Sequence, residues 1–106
     1  MGISKSEREH NRIVMALACR LQRHGYDEIL THISYRVHDA EGECDILARR
    51  GKWRDYYEVK ARHNSSSRRH AHKQLMRWRD AYPEDNCRMV YVAPNKQGKW
   101  HGERIR

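Results

Sequence analysis

No stretch of the 106 residues approaches the ~20 consecutive apolar residues that a membrane-spanning helix needs. The opening MGISKSEREH also lacks the apolar run of a secretory leader. Both absences point to a cytoplasmic protein with no membrane partner. The three cysteines, Cys19, Cys44 and Cys87, are odd in number, widely spaced and without a CxxC pair. A disulfide framework and a zinc ribbon are therefore not expected, and a reducing compartment is. Internal repeats and long linkers are missing too, so residues 1–106 read as a single domain. Only 38% of the residues are apolar, which allows a modest core. Acid is scarce as well: 14 Asp and Glu face 22 Lys and Arg, leaving a net charge of +8. That imbalance favours a polyanionic partner, nucleic acid first.

What is present is organised. In residues 4–24, Ile13, Val14, Leu17, Ala18 and Leu21 recur at helical spacing. Ser4 or Ser6 can cap that helix, and Gly25 can stop it. EILTHISYRVH (28–38) alternates and is rich in β-branched residues, so it reads as a strand. AEG (40–42) reads as a turn, CDILAR (44–49) as a second strand and RGK (50–52) as a tight turn. WRDYYEVKA (53–61) is the third strand of an antiparallel meander. Asn64 to Ser67 offer helix caps, and behind them Ala71, Leu75, Trp78 and Tyr82 share one helical face that Pro83 ends. CRMVYVAP (87–94) is a compact apolar strand, and the polar tail either adds an edge strand or frays. The predicted order is α-β-β-β-α-β, an α/β fold with a mixed sheet flanked by helices.

Within the third strand, YYEVKAR (56–62) places Glu58 and Lys60 two positions apart, hence on one face. Solvated strand faces often carry such pairs. Here, however, Asp45 opens the preceding strand and can lie beside Glu58 across the hairpin. Two carboxylates and the Val59 carbonyl between them suit a hard cation such as Mg²⁺ or Mn²⁺. Lys60 then stands where it can stabilise developing charge or orient an attacking water. Glu43 is either a further ligand or a turn residue.

Asp45, twelve intervening residues, Glu58 and then Lys60 resemble the signature of the PD-(D/E)XK nuclease superfamily, with its restriction-endonuclease-like fold. Cys44 stands where the motif has its proline. GECDILARR and YYEVKAR look like the form seen in archaeal Holliday-junction resolvases and small phage nucleases. Gln74-Leu75-Met76-Arg77-Trp78 is similar to the glutamine-containing helix motif of the RecB-like branch. The resemblance spans roughly residues 5–94. It implies a DNA endonuclease hydrolysing phosphodiester bonds with Mg²⁺ or Mn²⁺, structure-selective and homodimeric. Asp45 and Glu58 would hold metal with the Val59 carbonyl, Lys60 would activate or position water, and Gln74 would assist. The first helix would supply a glutamate, Glu9 or Glu7, to the metal.

Between residues 62 and 79, Arg62, Arg68, Arg69, Lys73, Arg77 and Arg79 occur with no acidic residue. Arg69, Lys73 and Arg77 form a stripe at helical spacing. A charge run is usually a solvated face; beside a phosphodiester site it suits contacts to the DNA backbone. His63, His70 and His72 make a poor zinc set without cysteine or acidic partners. Trp53 and Trp100 read as packing residues. A catalytically idle nucleic-acid-binding module and an RNA-directed nuclease are the alternatives.

Overall fold

Two amphipathic helices clamp a five-stranded mixed sheet from opposite sides in the computed structural model, which describes residues 2, 4–37, 40–81, 86–97 and 99–105. The elements are α1 (Lys5–Arg23), β1 (Glu28–Val37), β2 (Ala40–Arg50), β3 (Trp53–Val59), α2 (Ser65–Ala81), β4 (Cys87–Pro94) and β5 (Trp100–Ile105). Strands follow in the order β1-β2-β3-β4-β5. Neighbours are antiparallel except β3 and β4, which are parallel because α2 carries the chain back across the sheet.

Local chemistry sets the helix limits. The Ser4 hydroxyl accepts the Glu7 N–H at 3.1 Å and caps α1. Gly25, at φ +84°, turns the chain out of it. Asn64 Oδ1 accepts the Ser67 N–H at 2.8 Å and starts α2. The stripe Ile13, Val14, Leu17 and Leu21 packs on Ile46, Ala48, Tyr57, Val59 and Val92. Ala71, Leu75 and Trp78 pack on Tyr56, Met89, Tyr91 and Ala93. Alternate residues of β3 and β4 thus supply the two half-cores, as the pleat requires. Tyr82 and Pro83 lie outside the described residues.

Two boundaries differ from expectation, and the open alternative for the tail is decided. Ala40–Gly42 belong to β2 rather than to a turn, since Tyr35 pairs with Gly42 and Val37 with Ala40. His38 lies outside the described residues. β3 stops at Val59; the Lys60 N–H makes a last bond to the Val92 carbonyl at 2.9 Å, and the chain then leaves the sheet. The polar tail forms β5, antiparallel to β4, which adds a strand after the sixth expected element. Among the described residues no helix is long and apolar enough to cross a membrane.

Candidate functional site

The β2–β3 hairpin turns through Gly51 and Lys52, with Arg50 opposite Trp53, and Gly51 at φ +58° makes the tight turn possible. That register leads through the Ile46–Tyr57 pair to Asp45 beside Glu58. Both are almost fully buried, at 5% and 3% exposure. The two carboxyls lie close enough to shift each other, Asp45 pushing Glu58 up and Glu58 pushing Asp45 down. Burial drives the Glu58 carboxyl upward, and its contact with the Asp45 carboxylate pushes the same way. Burial also raises Asp45, but hydrogen bonds from His10, Glu58 and the Val59 N–H outweigh it and hold Asp45 below its ordinary value. The Val59 N–H reaches Asp45 Oδ2 at 2.7 Å. The two shifts run in opposite senses, Glu58 toward its acid form and Asp45 toward its carboxylate.

Lys60 continues the Glu58 face toward α2. Its Nζ lies 3.1 Å from Gln74 Oε1 and 3.1 Å from His70 Nδ1. Lys60, then burial, then Arg77 and Lys73 lower the His70 pKa, and Nδ1 accepts from the ammonium, which has only donors. These groups form a positive rim beside a buried carboxyl pair. Asp45, Glu58, Val59, Lys60 and Gln74 are thus brought together.

Glu9 is not among them. It pairs with Arg12 one turn along α1, which lowers its pKa. The neighbouring His10 points inward instead, with Nε2 at 3.1 Å from Asp45 Oδ2. That hydrogen bond raises the His10 pKa against the effect of its burial. Glu7 is exposed, and its N–H serves the helix cap.

Two more residues that the sequence left out or undecided flank Asp45. His32 Nδ1 lies 2.9 Å from a Glu43 carboxylate oxygen. Ligand atoms of His32, Glu43 and Asp45 all fall within 4.8 Å of one another. The usable sequence signal was weak: a histidine inside a β-branched strand and a glutamate two residues before the aspartate.

The basic segment divides. Arg62, Arg69, Lys73 and Arg77 are exposed, and among the described residues none forms an ion pair with a carboxylate. Arg68 is different, because it forms a bidentate pair with Glu103 of β5. Histidines 63, 70 and 72 do not converge: His63 contacts the Tyr91 hydroxyl at 3.1 Å while His70 serves Lys60.

A second buried acid lies three residues before Glu58. Asp55, 1% exposed, accepts Arg88 Nε at 2.9 Å and Nη2 at 2.8 Å, plus the Tyr26 and Tyr57 hydroxyls at 2.7 and 3.1 Å. Four donors converge on it, one on Oδ1 and three on Oδ2, so this acid is structural: it ties the loop after α1 to β3 and β4. A cavity of about 610 Å³ opens beside it, lined by Tyr26, Arg50, Lys52, Trp53 and Arg88 among others. Trp53 is 57% exposed there, so it is not the packing residue expected.

No family model matches the chain, and no curated protein matches it either.

Proposed function

We propose that the protein is a metal-dependent nuclease of the PD-(D/E)XK type, cutting phosphodiester bonds in DNA. What supports this most is the Asp45–Glu58 pair: two carboxyls buried side by side with Lys60 on the same face. Burying two acids together is unfavourable for folding alone, because only one of them can ionise readily. A divalent cation relieves that conflict, and an all-oxygen set completed by the Val59 carbonyl fits Mg²⁺ or Mn²⁺. When bound, such a cation supplies Lewis-acid stabilisation of charge on the phosphoryl group.

The chain's own residues do the rest. Asp45 is held as the ionised member by His10 and the Val59 N–H, ready to face a cation. Lys60 is fixed by Gln74 and His70 rather than left mobile, so its ammonium is aimed where an attacking water or a scissile phosphate would sit. Lys73 and Arg77 extend the positive rim along α2 and suit backbone phosphates. Exposed basic side chains of this kind suit recognition through backbone and shape, as in a junction-selective enzyme. A twofold dimer would place two such sites on two strands.

The test is incubation with labelled duplex, nicked, flapped and four-way DNA and with labelled RNA, in MgCl₂ or EDTA, for the wild type and Asp45→Asn. Cleavage confined to MgCl₂ and abolished in Asp45→Asn, with DNA affinity equal or higher, is expected. Binding without cleavage by the wild type would make the protein a nucleic-acid-binding module instead. Cleavage of RNA alone would redirect the substrate.

A further inference from the structure

The ladder between β1 and β2 keeps one register from Glu28–Arg49 to Val37–Ala40, with a single pair missing: His32–Asp45. At that point His32 has φ +54°, the left-handed region, and is the sole non-glycine there among the described residues. The pleat inverts across the break. Ile29 packs with the α1 half-core, yet Ile33, four residues on, packs with the α2 half-core. On the partner strand Ile46 and Ala48 belong to the α1 side, but Cys44 belongs to the α2 side. Regular strands would keep each set on one face. The Cys44 thiol fills the gap, donating to the Ile46 carbonyl at 3.2 Å.

The inversion has a chemical result. With Cys44 turned toward α2, its neighbour Glu43 turns to the opposite face, the one that α1 and His10 occupy. Without the break, Glu43 would lie on the α2 side. His32, Glu43, Asp45 and His10 converge only because two paired strands flip together. A strained histidine in mid-strand is tolerated where surrounding structure or function demands it. The donors gathered are two imidazoles and two carboxylates from three different elements. A mixed nitrogen and oxygen set of this kind favours first-row transition ions over Mg²⁺, which prefers oxygen alone.

We propose that His32, Glu43 and Asp45, with His10 behind them, form a binding site for a first-row transition ion, next to the Asp45–Glu58 pair. It shares Asp45 with the nuclease reading and so rests partly on it, although ion binding here does not require that DNA be cut. The two carboxylates would displace their hydrogen bonds to the imidazoles in favour of the ion, with His32 Nδ1 as the nitrogen already aimed at Glu43. His32 is the selectivity residue, because its ligand atom lies within 4.8 Å of those of both Glu43 and Asp45.

The experiment is calorimetric titration of the EDTA-stripped full chain with ZnCl₂, MnCl₂ and MgCl₂, for the wild type, His32→Gly and Glu43→Gln. Glycine accepts φ +54° without strain, so His32→Gly removes the ligand while keeping the backbone. The wild type should bind Zn²⁺ and Mn²⁺ at least about tenfold more tightly than Mg²⁺, following the usual affinity order. His32→Gly should lose at least about tenfold in Zn²⁺ affinity and leave Mg²⁺ affinity within about twofold. With Mn²⁺ bound, electron spin-echo spectra should carry nitrogen modulation that weakens in His32→Gly. No preference over Mg²⁺ in the wild type, or wild-type Zn²⁺ affinity retained in both variants, overturns the proposal. A protein that binds Zn²⁺ through His32 yet cuts no DNA keeps this site and loses the nuclease reading.

Discussion

Lys60 Nζ and Gln74 Oε1 sit 3.1 Å apart, joining the end of β3 to the third turn of α2. The contact removes freedom from a long side chain at the point where a phosphate would need a fixed positive charge. Lys60→Ala should lower single-turnover cleavage in MgCl₂ by about 10²–10³-fold, the usual loss for one transition-state donor. Gln74→Ala should lower it less, by about tenfold, because the ammonium remains and only its placement loosens. Neither change touches the half-cores, so thermal midpoints should stay within about 2–4 °C of the wild type. Equal cleavage by all three proteins would show that the Lys60–Gln74 contact is only a strand-to-helix tie.

The same helix makes a prediction about salt. Lys73 and Arg77 lie close enough to His70 to lower its pKa, so they border the Lys60 rim. Replacing either with alanine should reduce the slope of log affinity against log salt by about 0.9 on duplex DNA. Arg68 is engaged by Glu103, and Arg68→Ala should change that slope much less. Fluorescence anisotropy at several KCl concentrations reads the comparison. Identical slopes for all three variants would place the DNA elsewhere.

How far the sequence carries depends on the kind of signal. The α1 stripe was legible because burial imposes a period on Ile13, Val14, Leu17 and Leu21. The Asp45–Glu58 adjacency was legible too, because a tight turn at Gly51 and Lys52 fixes the hairpin register. Gln74 came only through family resemblance, since a lone glutamine on a helix has no distinguishing pattern. Glu9 against His10 turned on one residue of helix rotation, about 100°, and periodicity does not fix rotation that finely. His32 was out of reach, and Glu43 stayed undecided, for a different reason. Their convergence depends on an inverted pleat, a single backbone event at one residue pair that leaves alternation intact on either side. β5 was ambiguous because an edge strand buries little, and WHGERI has few apolar residues to mark it.

Asp55 offers a control in which burial is purely structural. Arg88→Ala would strip two of its four donors and leave a carboxylate that is 1% exposed with only the Tyr26 and Tyr57 hydroxyls. Arg88 is itself 46% exposed, so water replaces part of the loss. Destabilisation of about 2–3 kcal/mol is expected from a charged group left under-satisfied. Urea denaturation measures it. Metal affinity should be unchanged, because Asp55 and Glu58 point to opposite faces of β3. A variant as stable as the wild type would mean that the two hydroxyls suffice.

The burial of Asp45 and Glu58 side by side makes stability in EDTA sensitive to pH in a direction that can be worked out. Glu58 is raised in the folded state, by burial first and by Asp45 second, from an ordinary value of 4.5. Its contribution to stability is therefore complete below pH 4.5 and is lost as the pH climbs toward the raised value. His10, raised by its hydrogen bond to Asp45, acts in the same sense above pH 6.5. Asp45, lowered from 3.8, acts oppositely and only in stronger acid. In EDTA, then, stability should fall between about pH 5 and 9. Glu58→Gln mimics the protonated acid and cannot ionise, so it should flatten that fall. At pH 8 the variant should exceed the wild type by at least about 1.4 kcal/mol, the worth of one pKa unit. Saturating MgCl₂ should reverse the order, because binding requires Glu58 to release its proton and the glutamine offers no charge. Thermal denaturation across pH, in EDTA and in MgCl₂, reads both effects. Parallel pH curves for the two proteins in EDTA would mean that Glu58 is ionised in the metal-free fold.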